Sequence, residues 1–103
     1  MAISNTRIAT IPTQVFLASG QQAVTTVVFC NVTTATATLS FFAVPFGGNA
    51  GPTTQVLNEI ELPGGETFAL DKERFVLDDQ DAFYASSDVN QAITVTVSSV
   101  STE

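Results

Sequence analysis

Every acidic residue in this 103-residue chain lies at or after Glu59, and the 58 residues before it carry one formal charge, Arg7. A stretch of that length, rich in Thr, Ala, Val and Phe, stays in solution only if it folds and hides its apolar side chains. It can do so in its own core or against a neighbouring subunit. The acidic half then supplies the solvated surface. A chain of this size buries about 60 to 65 per cent of its unfolded surface and has little to divide between two cores, so residues 1–103 are expected to form one domain.

The apolar pattern has the period of strands. Ile93, Val95 and Val97 alternate with Thr94, Thr96 and Ser98, as in a half-buried strand. Residues 23–32 (AVTTVVFCNV) are denser in β-branched residues, with Val27 and Phe29 on one face and Val24, Val28, Cys30 and Val32 on the other. That density predicts a central strand covered on both sides. Residues 36–46 form another strand, which Pro45 should end or place at an edge. Residues 55–62 put Val56, Ile60 and Leu62 inward, and residues 66–71 do the same with Phe68 and Leu70. Pro63-Gly64-Gly65 between them is a turn. Residues 75–77 and 82–86 are short strands flanking an acidic turn, Asp78 to Asp81. Residues 8–16 form an edge strand interrupted by Pro12. Seven or eight short antiparallel strands without helical periodicity predict an all-β fold, a single β-sandwich of immunoglobulin-like or jelly-roll kind, with the strand order left open.

Composition excludes several functions. With a formal net charge of −7 and only Arg7, Lys72 and Arg74 as cations, the chain lacks the basic patch that nucleic acid or an anionic membrane requires. No apolar run reaches the roughly 18 residues of a membrane span. The first ten residues lack the basic-then-apolar order of a secretory signal, and synthesis in a reducing cytoplasm is expected. One Cys and no His exclude Ser-His-Asp and Cys-His catalysis in their usual forms and any Cys/His zinc set. No enzymatic activity and no cofactor are expected. Cys30 is expected to be a buried, inert thiol.

Other features have competing readings. The Asp78, Asp79, Asp81 turn has the oxygen ligands calcium uses but lacks the EF-hand loop, so a solvated turn is the simpler reading. Asn31-Val32-Thr33 is a glycosylation sequon that chance supplies in a Thr-rich chain. Lys72, Glu73 and Arg74 read as a local ion-pair patch. Residues 46–54 (FGGNAGPTT) are expected to be an exposed, mobile loop, which either carries contacts or is a tolerated surface loop with no role. Phe41 and Phe42 are neighbours in a strand and must face opposite ways. One core can take only one of them, so the other seeks a covering loop or a second subunit, and a homo-oligomer is expected.

Residues 1–11 (MAISNTRIATI), 22–33 (QAVTTVVFCNVT), 39–48 (LSFFAVPFGG), 60–70 (IELPGGETFAL) and 75–81 (FVLDDQD) resemble small virion structural proteins of tailed bacteriophages. The likeness is closest to those of contractile-tailed phages of cyanobacteria. The resemblance implies a non-enzymatic β-sandwich present in multiple copies in the virion and bound to other capsid, neck or tail proteins. Capsid-surface decoration is preferred over a neck or tail accessory role. Phe16, Phe41, Phe42 and Phe46, with Gly47, Gly48 and Asn49, are the expected partner contacts. The alternative is a host-surface or carbohydrate-binding module, for which Tyr84 is the one Tyr platform available.

Overall fold

A computed structural model describes residues 2–70 and 75–101. Nine strands run in chain order: β1 (Ala2–Arg7), β2 (Thr13–Leu17), β3 (Gln22–Asn31), β4 (Ala37–Val44), β5 (Gln55–Leu62), β6 (Thr67–Leu70), β7 (Phe75–Leu77), β8 (Ala82–Ser87) and β9 (Ile93–Ser101). They form two antiparallel sheets: sheet A, ordered β1-β9-β3-β6 with β7 also on β3, and sheet B, ordered β2-β8-β4-β5. Because β6 and β7 pair successive stretches of one edge of β3, they act as one interrupted strand. Counted that way, the order is 1-8-3-6 facing 2-7-4-5, which is the jelly-roll winding rather than the immunoglobulin one.

The sandwich is filled from both sheets. Phe29 on β3 meets Phe41 on β4 edge to face, with ring centroids 5.2 Å apart, and Phe41 contacts Phe83 on β8 at 4.9 Å. Phe68, Phe75 and Phe16 extend this chain of rings toward the flanks. Val27, Val95, Val97, Ile93 and Leu39 complete the buried core. The alternation expected of β9 is present, and its Thr94, Thr96 and Ser98 side chains are only half-buried on the outer face.

Several expectations need correction. Of residues 8–16, expected as one edge strand, only the part from Thr13 is a strand: the chain leaves sheet A after Arg7, turns through Pro12 and enters sheet B as the edge strand β2. β1 carries no strong apolar alternation, and the sequence pattern does not predict it. In β5 the register slips at two places, opposite Leu39/Phe41 and Phe41/Phe42, and Glu59 adopts a positive φ of 50°. These bulges reverse the facing of the strand's first half, so Val56 is exposed while Leu57 packs on the core. A bulge between Val24 and Thr26 likewise turns Val24 inward with Val27 and Phe29. Val28 and Cys30 are then left half-buried on an open outer face, so β3 is central but covered on one side only, and Cys30 is not deep. Lys72, Glu73 and Arg74 lie outside the described residues.

One end of the sandwich is tied by Asn31, which is fully buried. Its Nδ2 donates to the carbonyls of Ala35 and Leu62, each at 2.8 Å, and its Oδ1 accepts from the N–H and Oγ1–H of Thr33. An amide nitrogen used in this way cannot carry a glycan in the folded state, so the sequon is structural. The expected Pro63–Glu66 turn is there, with Glu66 N–H bonded to Pro63 O and Gly65 at φ 78°. Gly64 presses against Thr34, where an added Cβ would come within 2.4 Å of backbone. Asn31→Ala should therefore cost about 2 to 4 kcal/mol by leaving buried carbonyls unpaired. Gly64→Ala should cost about 1 to 3 kcal/mol through the displaced turn. Both are measured by chemical denaturation, and a cost near zero for Asn31→Ala would show that the knot is not stabilising.

Candidate docking site at the Phe46 end

The opposite end of the sandwich gathers the turns at residues 18–21, 45–54 and 78–81. Val44 ends β4, as Pro45 requires. Gly48 N–H then bonds back to Pro45 O at 2.9 Å, and Gly47 takes φ 84°. A positive φ at the third residue alone defines a type II turn, and it explains why glycine stands there. The rest of the loop is closed by Thr54, whose N–H bonds to Gly51 O and whose Oγ1 accepts from Gly51 N–H and donates toward Asn49 O. The loop is therefore two stitched turns rather than open chain.

Asp81 fastens this loop to the acidic turn. Its Oδ1 accepts the Phe46 N–H at 2.9 Å and its Oδ2 the Asp78 N–H at 3.0 Å. Asp79 accepts from Gly20 N–H at 2.8 Å, and Asp78 from Gln21 Nε2 at 3.3 Å. Backbone bonds Ala18 N–H to Asp81 O and Gln80 N–H to Ala18 O complete the junction. The acidic turn thus spends its carboxylates on N–H groups of three turns. Among the described residues no three acidic or Cys side chains group closely enough to hold a metal ion.

Phe46 sits at the second position of the type II turn and is 70% exposed. Beside it, the outer face of sheet B forms a shallow groove of about 180 Å³. The cross-strand row Leu17–Ala82–Val44 and the neighbouring pair Gln14–Tyr84 make its floor and one wall, and the Phe46–Gly48 turn makes the other. On the far side of Pro45 a second groove of about 250 Å³ runs along Phe75, exposed Val76 and Leu77. The turn therefore stands as a ridge between two partly apolar depressions.

The residues expected to contact partners are separated by the structure. Phe41 is 0% exposed at the centre of the core, and Phe16, at 9%, packs on Phe83. The bulge between Gln14 and Phe16 turns Phe16 inward with its neighbour Val15 and leaves Leu17 outside. Phe42 does face away from the core, yet at 7% exposure it is already covered by its own chain. Phe42 therefore gives no reason for a second subunit, and Phe42→Ser would perturb the fold before any interface. Phe46, Gly47, Gly48 and Asn49 remain exposed together. Leu17 and Asp81 escape a reading of the sequence. Alternation across an unseen bulge hides Leu17, and Asp81 is indistinguishable there from any other solvated acid.

Comparison with protein-family models, with curated proteins and with solved structures found no match.

Asp81→Ala should release the Phe46 turn. The expected loss is about 1 to 2 kcal/mol, seen as a lower Tm, with faster amide exchange at Phe46 and Asp78 than elsewhere in the sandwich. Unchanged exchange at Phe46 would show that the turn holds itself.

Proposed function

We propose that this protein is a non-enzymatic binding module whose Phe46 turn docks into another protein. On the sequence resemblance, that protein belongs to a tailed-phage virion. A role as capsid-surface decoration is preferred to a neck or tail accessory one. The observation that carries the docking reading is Phe46 itself. An aromatic ring held in water on a turn fixed by Gly47 and Asp81 loses little conformational freedom on binding, which is the economy of a preorganised anchor. Flanking grooves give a partner somewhere to close around it. Copies held in one lattice would add avidity to a modest single contact. Jelly rolls host both viral coat and lectin domains, so the winding is compatible with this role without selecting it.

One feature favours a second reading. Gln14 and Gln80 line the same groove as Tyr84 and Phe46, and aromatic faces beside amides are the groups that hold sugar rings. A host glycan is the ligand this would take.

The test is co-sedimentation with heads and tails of a contractile-tailed cyanophage stripped of accessory proteins. Saturable binding is expected, weakened about tenfold or more by Phe46→Ser at unchanged Tm. No binding to either particle part would overturn the virion reading. Glycan-array binding lost in Tyr84→Ala would establish the second one.

A further inference from the structure

The four sheet edges are not equally defended. β5 carries two bulges, Glu59 and Glu61. β2 follows Pro12 and is bulged. β6 and β7 are fragments of four and three residues. Each of these blocks the addition of another strand. β1 has none of these devices: its residues pair with β9 from Ala2 to Arg7 without a register shift, and no described strand lies on its other side. Its sequence AISNTR holds no proline, glycine or acid.

The register shows which backbone groups are free. Ile8 N–H donates to Ile93 O, so by strand alternation Ser4 and Thr6 turn their peptide groups to β9. Ile3, Asn5 and Arg7 turn theirs to the open edge. We propose that a second copy of this chain occupies that edge, β1 pairing with β1 antiparallel about a twofold axis at Asn5. This interface is independent of the Phe46 turn.

Three observations select the second copy and the register. A molecule with net charge −7 meets its like best where acids are absent, and β1, β9 and β3 contain no Asp or Glu. Centring on Asn5 uses all three outward residues and sets Ile3 opposite the partner's Arg7, so the two cations stay apart. Ile3, 66% exposed, is then covered by the aliphatic stem of the partner's Arg7. Asn5 already accepts a hydrogen bond from Thr96 Oγ1 at 2.7 Å, which leaves its amide –NH₂ to reach across the axis. The interface is self-complementary, as a twofold contact must be.

The test is sedimentation equilibrium of the whole chain over a wide concentration range, with amide exchange on the same samples. The expected species has twice the 10.8 kDa chain mass. Asn5→Asp keeps the acceptor for Thr96 but opposes like charges on the axis, and it should weaken association about tenfold or more. In the unsubstituted protein, the amides of Ile3, Asn5 and Arg7 should gain protection as concentration rises, while those of Ser4 and Thr6 stay protected throughout. That exchange pattern decides the matter even if the variant folds poorly. A monomer at every concentration, or a dimer in which the Ile3, Asn5 and Arg7 amides gain no protection, overturns the proposal.

Discussion

The contact on which this sandwich depends is the meeting of Phe29, Phe41 and Phe83 between the sheets. Each ring comes from a central strand, β3 in one sheet and β4 and β8 in the other, so the three side chains bridge the layers where no backbone bond can. Emptying such a position costs about 3 to 5 kcal/mol, a large part of the roughly 5 to 15 kcal/mol that holds a domain of this size together. Small residues flank the rings. Ala37, Ala85 and Ala92 are buried in the same core, because a layer already filled by Phe16, Phe29, Phe41, Phe68, Phe75 and Phe83 leaves room for little else.

With the layers fixed, each end of the jelly roll has a polar side chain that ties separate turns, Asn31 at one and Asp81 at the other. Asn31 does this in full burial, where every bond is made at the expense of water and the geometry has no slack. Asp81 does it at half-exposure, where bonds can open and reform. The difference suits their places. Asn31 locks its end from within the core, whereas Asp81 supports a turn whose aromatic ring stands in solvent. An exposed turn can be held in place in this way without being part of the core.

Much of the fold was legible because most strands here obey simple alternation. Ile93, Val95 and Val97 could be placed from sequence, and so could the Pro63-Gly64-Gly65 turn, whose chemistry is local. What escaped was whatever a bulge decides. One inserted residue reverses the facing of everything before it, and no residue type announces it, as Val56, Leu57 and Val24 show. β1 escaped for a different reason. Its Ser4 and Thr6 are held by pairing to β9, 91 residues distant between Thr96 and Asn5, so tertiary pairing rather than local pattern makes it a strand. At the candidate site, the exposure of Phe46 and its glycines followed from loop composition. The burial of Phe42 did not, because whether a chain covers its own second face is settled only when the loops are in place.

The charge asymmetry of the sequence has a structural cause in the winding. In a jelly roll the first four strands supply an edge and a central strand to each sheet, so the chain before Glu59 is committed to pairing, and a charge on an inward position there would be buried unpaired. Acids are admissible once the chain reaches the exposed edge β5 and the later turns, and that is where the described ones stand: Glu59, Glu61, Glu66, Asp78, Asp79, Asp81 and Asp88. The same arrangement leaves the outer face of β1, β9 and β3 as a field of Thr, Ser, Val and Asn with Arg7 at its border. Repulsion between copies is therefore concentrated on one edge and the loops, and it is weakest along β1. A net charge that keeps molecules apart in general still permits them to approach in one orientation, which is how a strongly acidic domain can be both soluble and selective in what it touches.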